Sequence, residues 1–281
     1  MSGGVLSALV AALSNAVETI SDKLILRGKG CSGRAVMVYQ MTAISVITMI
    51  PALLFGQIQA GFWQPLMLMN FIGILACAVI FNNFYFFAVS GDDLCDIEPI
   101  LVLSLPFTAL LGSFFFPKQS SVLLVVLTFI AFLALVVTRV EKHHYKPTKY
   151  TAAMIGFVIF ISTESILIQN ILPYINPIAL YSVRTLCLAT IFLIFFRPKE
   201  KVSSKTLGHI SLIGVVVAIE YFSRYFAYEQ IGVVRSSLIF LLGPILILLY
   251  STFFLKEKLT TKRAIGDIIV VGCVVTSLLI R

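Results

Sequence analysis

Ten long apolar stretches dominate this chain, and their length constrains the fold more than any other feature. An α-helix rises about 1.5 Å per residue and the hydrocarbon core of a bilayer is about 30 Å thick, so about 20 apolar residues suffice to span it. The runs are continuous and do not alternate, which argues against an outer-membrane barrel. The sequence therefore predicts an all-α integral membrane protein with ten transmembrane helices. The predicted spans lie near residues 4–26, 35–56, 66–90, 96–116, 121–138, 150–170, 177–196, 208–228, 234–255 and 264–280.

The composition excludes a water-soluble globule. Hydrophobic residues make up 59% of the 281 residues, charged residues only 12%, and the mean hydropathy is +1.01. Such values are typical of proteins that bury most of their surface in lipid. The predicted connections are short and polar, so they leave no room for a soluble catalytic domain. The first span lacks a basic leading segment, and we interpret it as a signal anchor that is not cleaved.

The chain also contains an internal repeat. Phe86-Phe87-Ala88 and Leu105-Pro106-Phe107 return about 138 residues later as Tyr225-Phe226-Ala227 and Gly243-Pro244-Ile245. A repeat of this length in so apolar a chain predicts two copies of one five-helix membrane unit. We assign the first repeat to residues 1–138, a cytoplasmic linker to 139–149 and the second repeat to 150–281.

The odd number of helices in each unit fixes how the two copies sit in the membrane. After five spans the chain has changed sides, so the second unit enters upside down and the two units are inverted repeats. This architecture is typical of transporters that open a central site alternately to each side.

The basic residues are distributed on one side of this topology. The odd-numbered connections carry 15 Lys and Arg residues, whereas the even-numbered ones carry only Lys118 and Arg235. Because cytoplasmic loops are enriched in Lys and Arg, we expect the odd-numbered connections to face the cytoplasm. With ten spans, both termini then lie outside, and the membrane is the cytoplasmic (inner) one. The bias also accounts for the net charge of +8 without a nucleic-acid partner.

These features together resemble a known family. The ten helices form two copies, spans one and six carry polar patches, spans four and nine contain a central Pro, and residues 253–259 read Phe-Phe-Leu-Lys-Glu-Lys-Leu. This pattern is similar to the EamA-like branch of the drug/metabolite transporter (DMT) superfamily. The resemblance implies a ten-helix secondary transporter, and it suggests export. It leaves open the substrate, because members carry amino acids, other metabolites, nucleotide sugars, drugs or quaternary amines.

The chain departs from that pattern in two respects. The first copy ends Phe-Phe-Phe-Pro-Lys-Gln-Ser at residues 114–120 and has no counterpart of Glu257, so we interpret Glu257 as a residue of the rim or of the scaffold. Many relatives are described with both termini in the cytoplasm, whereas the distribution of basic residues here predicts the reverse.

Ionisable residues inside the predicted spans are the candidates for function. Each costs about 2.5–3.5 kcal/mol on insertion scales unless it has a partner or faces water. Glu18 in span one aligns with Glu164 in span six, and tyrosines beside an acid form a suitable surface for an ammonium group. We predict a substrate-binding set of Glu18, Tyr39, Asn82, Asn83, Glu164, Tyr181, Arg184, Glu220, Tyr221, Arg224 and Tyr225.

A plainer interpretation of these charges is internal neutralisation. Glu220 and Arg224 are spaced i,i+4, and Glu164 can pair with Arg184 across helices. If both pairs form, Glu18 is left as the only unpaired acid deep in the bundle, and it becomes the candidate for proton coupling.

Two prolines at near-equivalent places, Pro106 and Pro244, interrupt the backbone ladders of spans four and nine. We name them as candidate gating residues, with shaping of the bundle as the alternative.

The function we expect is a secondary active transporter, not an enzyme, that moves a small polar or zwitterionic, amino-acid-like metabolite by alternating access. The alternatives are a choline-like quaternary amine or a drug as substrate, a passive channel, and, with weaker support, a membrane-embedded lipid-modifying enzyme. No Gly-rich phosphate-binding loop occurs in the sequence, so ATP drive within this chain is excluded. We expect no cofactor and no metal; the partners are a small-molecule substrate and the lipid bilayer, with the chain as a monomer or homodimer.

Overall fold

The structure, a computed structural model, describes residues 2–27, 32–91, 100–119, 121–139, 148–196, 198, 202–246 and 261–279. Helices account for nearly all of these residues, as the sequence predicts. We label the helices α1 Ser2–Arg27, α2 Gly33–Phe55, α3 Pro65–Gly91, α4 Ser104–Phe115, α5 Val122–Arg139, α6 Lys149–Ile171, α7 Pro177–Phe195, α8 Ser204–Phe240 and α9 Thr261–Leu279. Glu257 and most of the predicted linker lie outside the described residues.

Most predicted spans coincide with observed helices to within a few residues. Six helices of the described chain, α1, α2, α3, α6, α7 and α8, are long and apolar enough to cross a membrane. Shorter apolar helices cover Ile100–Phe115, Val122–Val137 and Ala264–Leu279, where spans four, five and ten are predicted. The fold is therefore an all-α membrane bundle.

The boundary between spans eight and nine differs from the prediction. The sequence predicts a short connection near residues 229–233, but α8 runs on through it and changes direction at one residue, Gly232. Gly232 has φ 78° and ψ 160°, a conformation that side chains bearing a Cβ rarely adopt. A single glycine therefore replaces the predicted loop.

Local capping explains where several helices begin. Ser32, Asn176 and Ser203 each accept a hydrogen bond from a backbone N–H in the first turn of α2, α7 and α8. Thr148 caps α6 together with Thr151 in a reciprocal pair of bonds. These small polar residues satisfy the free N–H groups at helix ends and fix where the chain enters each helix.

The helix packing follows the order that inverted repeats require. The most extensive contacts join α1 to α8, α3 to α6, α2 to α7 and α5 to α9. If the second repeat is the first one inverted, the contact of spans three and six is the counterpart of a contact between spans eight and one, and α8 contains span eight. The pairs of spans two and seven and of spans five and ten are their own counterparts. Close approach is aided by small residues: a Cβ added at Gly156 would lie 2.5 Å from Phe84 of α3.

The two ends of the bundle differ. At one end the connections after α2 and α6 bond to each other, since Asn176 Nδ2 donates to the Phe55 carbonyl oxygen at 2.7 Å and the Gln59 N–H donates to the Tyr174 carbonyl oxygen at 2.9 Å. At the other end, residues beside the odd-numbered connections, among them Arg34 and Lys149, line a vestibule of about 860 Å³. Among the described residues, hydrogen bonds close the even-numbered end, whereas a vestibule opens at the odd-numbered end.

We predict that Gly232→Ala destabilises the protein by about 1–3 kcal/mol, because alanine must hold a backbone conformation that costs that much. Thermal unfolding in detergent micelles measures the change.

The matched control is Gly208→Ala, in the same helix. A Cβ there meets no atom within 4 Å, so the alanine should be neutral or stabilise by about 0.5–1 kcal/mol. Equal stabilities of the two variants would contradict the conformational role of Gly232.

Candidate substrate-binding cavity

A cavity of about 100 Å³ lies at the centre of the bundle. Its wall receives side chains from α1, α2, α3, α4, α6, α7 and α8, so both halves of the chain contribute to it. Phe86 lines the cavity and also the vestibule. The central cavity is therefore separated from the open end of the molecule by this aromatic side chain.

The first charged group of the cavity is an ion pair between α6 and α7. Arg184 Nε donates to Glu164 Oε1 at 2.6 Å, and both side chains are only 2% exposed. The Arg184 guanidinium also lies 5.8 Å from the Tyr181 ring centre and 5.5 Å from the Tyr221 ring centre. Arg184 lines the cavity, and its Nη2 has no hydrogen-bond partner. This guanidinium nitrogen is thus buried in the cavity wall without a hydrogen-bond partner in the protein.

The second charged group lies between α1 and α8. Arg224 Nη2 donates to Glu220 Oε1 at 2.5 Å, and Asn15 Nδ2 donates to the same oxygen at 3.3 Å. The carboxyl group of Glu18 comes within hydrogen-bond range of the Glu220 carboxyl group. Two carboxyl groups can share a hydrogen bond only if one of them carries a proton. This contact is therefore a place where the cavity can hold a proton.

Both neutralising pairs that the sequence allows are formed. Each arginine has its own glutamate, so neither pair adds net charge to the cavity. Breaking one pair by removing a single partner would leave an uncompensated charge in a buried place.

Three tyrosines form a compact cluster next to the arginines. The Tyr181 and Tyr221 rings stack at 4.8 Å and 6°, and Tyr225 stands nearly perpendicular to both. Arg224 lies 5.3 Å from the Tyr221 ring centre. These aromatic faces already contact the guanidinium groups of the protein, so they differ from the free tyrosine surface that the sequence suggests for an ammonium group.

The remaining predicted site residues fall into three groups. The cavity wall contains Glu18, Asn82, Tyr181, Arg184, Tyr221, Arg224 and Pro244. Glu164, Glu220 and Tyr225 lie behind the wall and contact residues that form it. Tyr39, Asn83 and Pro106 do not line this cavity, and Asn83 faces the vestibule instead.

Hydrogen bonds within helices explain why some predicted amides contribute little. Asn82 and Asn83 donate to the carbonyl oxygens of Ala78 and Val79 at 2.8 and 2.7 Å, on their own helix. The preceding turn thus takes one of the two N–H donors of each amide, which leaves each with fewer groups for a ligand.

The prediction that Glu18 is the only unpaired acid deep in the bundle is wrong. Asp22 is 0% exposed, accepts a hydrogen bond from the Tyr85 hydroxyl at 3.3 Å, and has no ion pair with any basic side chain of the described residues. Gln40 also lies within hydrogen-bond range of its carboxyl group. The sequence carries a signal for Asp22, since it follows Glu18 by four residues and so lies on the same face of α1.

Comparisons with known proteins agree with this architecture. Residues 148–279 match the model of the EamA-like transporter family. The second half of the chain is therefore similar to the EamA-like transporters of the drug/metabolite transporter superfamily. A solved crystal structure superposes with a TM-score of 0.74 over 98% of this chain and 96% of the other, at 15% sequence identity. That likeness concerns the fold alone. A search of curated proteins gives no sequence match.

The matched family is one of membrane transporters, and the long apolar helices are those of a multi-pass membrane protein. The central cavity is accordingly the candidate substrate site.

We predict that Arg184→Gln lowers the free energy of unfolding by about 3–5 kcal/mol, because it leaves the Glu164 carboxylate buried without a cation. The double variant Arg184→Gln with Glu164→Gln removes both charges and should recover most of that loss. Thermal unfolding of the single and double variants measures the coupling.

Lys205→Gln, at an exposed position of α8, is the control and should change stability by less than about 0.5 kcal/mol. A double variant as unstable as the sum of its two singles would show that the Arg184–Glu164 pair does not stabilise the bundle.

Proposed function

We propose that this protein is a secondary active transporter that moves a small zwitterionic, amino-acid-like metabolite across the cytoplasmic membrane by alternating access, with export as the direction. The proposal rests on a basic and an acidic side chain that both line the central cavity. The basic one is Arg184, whose Nη2 has no hydrogen-bond partner. The acidic one is Glu18, which has no ion pair with a described basic side chain.

The two poles suit the two ends of an α-amino acid. A carboxylate can accept a hydrogen bond from Arg184 Nη2, and such charge-assisted bonds are stronger than neutral ones. An ammonium group can donate to Glu18, which lines the same cavity near Glu220. Phe81, Phe157 and Ile161 also line the cavity and provide apolar contact for a side chain. The cavity wall therefore supplies a donor, Arg184, and an acceptor, Glu18, for a ligand.

The difference between the two ends of the bundle supports transport by alternating access. The cavity meets the vestibule at Phe86, whereas the connections after α2 and α6 close the opposite end with backbone and amide bonds. If the basic connections are cytoplasmic, the described conformation is the one that faces the cytoplasm. Exchange of conformations between the inverted halves would open the other end, with Pro106 and Pro244 as candidate points of bending.

Proton exchange is the coupling that fits this cavity. Glu18 and Glu220 approach closely enough to share a proton, and an ammonium group arriving at Glu18 would replace it. Competition between a proton and a cationic group for one carboxylate gives antiport without a nucleotide.

A small organic cation such as choline is the second candidate substrate. It is favoured by the observation that both arginines already carry glutamate partners, at 2.6 and 2.5 Å. A ligand with a permanent positive charge and no carboxylate would need only Glu18 and the aromatic wall.

The test is a thermal-shift screen of the purified protein against amino acids, amines, nucleosides and sugar nucleotides. A ligand present at about 100 times its dissociation constant stabilises the folded state by about 2.7 kcal/mol. We expect a shift with an amino acid. Arg184→Lys, which keeps a cation beside Glu164 but loses the guanidinium fork, should weaken amino-acid binding by about tenfold or more. Glu18→Gln should weaken binding of amino acids and amines alike.

The control is Lys205→Gln, which should leave the shift unchanged. A shift with choline that is indifferent to Arg184→Lys, together with no shift for any amino acid, would reverse the ranking of the two substrates. Binding that survives both cavity substitutions would contradict the proposed site.

A further inference from the structure

We infer that Asp22 is a second proton-binding residue of this transporter, placed behind the cavity wall, and that it relays protons between Glu18 and the vestibule. The relay rests on the proposed proton exchange. The position and the hydrogen bonds of Asp22 are independent of any substrate.

Asp22 is placed where it can hold a proton but not a ligand. It is 0% exposed and does not line the cavity, whereas Glu18, Gln40 and Tyr85 around it do. The Tyr85 hydroxyl donates to Oδ2 at 3.3 Å, and Oδ1 has no hydrogen-bond partner. A carboxylate in such a place is costly unless it has a cation or a proton. The unpartnered Oδ1 is the atom on which a proton can sit.

The charged and titratable groups around Asp22 also favour a proton on this residue. Glu18 lies one turn before it on α1, about 6 Å along the helix axis. Glu220 on α8 adds negative charge, and Arg224 is held by Glu220. Tyr85 on α3 donates a hydrogen bond, and Gln40 on α2 is neutral. Among the side chains that the structure describes, none supplies a cation to Asp22.

The direction of α1 places Asp22 on the vestibule side of Glu18. From Glu18 to Asp22 the helix runs toward the connection that precedes α2, and residues at the start of α2, Gly33 and Arg34, line the vestibule. Tyr85, which binds Asp22, is followed in sequence by Phe86, which borders both the cavity and the vestibule. Asp22 therefore lies between Glu18 and the open end.

The proton transfers balance in two steps. Asp22 gives its proton to water of the vestibule, and its carboxylate then takes the proton from Glu18. Glu18 is left ionised and can accept a hydrogen bond from an ammonium group. One proton leaves to the vestibule for each ammonium group that binds, and Asp22 ends each exchange protonated, as it began.

Infrared spectroscopy of the detergent-solubilised full chain tests this without any substrate. Protonated carboxyl groups absorb in a carbonyl-stretch region separate from carboxylates and amides. At neutral pH we expect Asp22→Asn to remove about one carboxyl equivalent from this band. We also expect the remaining carboxyl signal to exchange with D₂O at least tenfold more slowly, because Glu18 has lost its relay.

Tyr85→Phe is the second variant. It keeps the carboxyl group, so the band should persist but shift in frequency as the hydrogen bond is lost. It also keeps the proposal testable if Asp22→Asn does not fold. Asp267→Asn, on α9 and outside the cavity wall, is the control and should leave both band and exchange rate unchanged.

Three results would overturn the inference. A carboxyl band unaffected by Asp22→Asn would mean that Asp22 holds no proton, and a band unaffected by Tyr85→Phe would mean that the hydrogen bond is absent. Loss of one carboxyl equivalent with an unchanged exchange rate of the remaining signal would mean that protons reach Glu18 by another route. Because no ligand is needed, these outcomes are distinct from a failure to find any amino acid or amine that binds.

Discussion

Pairing of buried charges across helices is the interaction on which the centre of this protein depends. A carboxylate or guanidinium in hydrocarbon is costly alone, and the structure joins them two by two, Glu164 with Arg184 and Glu220 with Arg224. The first pair links α6 to α7. The second is held on α8 and reaches α1 through Asn15. The charges that the membrane tolerates are thus also the contacts that hold the cavity wall in place.

The polar groups that these ion pairs do not use determine what the cavity can bind. Each pair is joined through one arginine nitrogen, and Arg184 Nη2 and Arg224 Nε have no hydrogen-bond partner. Glu18 and Asp22 remain as acids without a cation among the described residues. Such an excess of acid is suited to a ligand that carries an ammonium group and to the protons that this group displaces. The low dielectric of the interior favours the pairing of charges. It also makes the remaining polar groups of the cavity discriminate between ligands that can and cannot satisfy them.

Particular residues show how much of the candidate site can be predicted from the sequence. The i,i+4 spacing of Glu220 and Arg224 predicts their pair, because residues four apart on a helix are neighbours. Matching of the two copies places Glu18 and Glu164 at equivalent positions, and both lie at or against the cavity wall. Comparison of the two copies does not identify Asp22 as a candidate, because its counterpart in the second copy is the apolar Ile168. Tyr39 and Asn83 are polar residues of predicted spans yet lie outside the cavity wall, since a residue's position along a helix does not fix the direction it faces once the helices pack.

The sequence by itself determined the solvent, the helical class, the approximate ends of most spans and the family, because hydrophobic length and periodicity are local properties that any one segment carries. It also fixed which buried residues require partners. Only the tertiary structure decided that Arg184 and Glu18 border one cavity, that Tyr181 and Tyr221 face arginines, and that Asp22 sits behind the wall. It alone decided that one end of the bundle is closed by Asn176 and Phe55 while the other is open. These features arise between helices distant in sequence, where rotation of each helix about its axis is set by packing and not by local pattern.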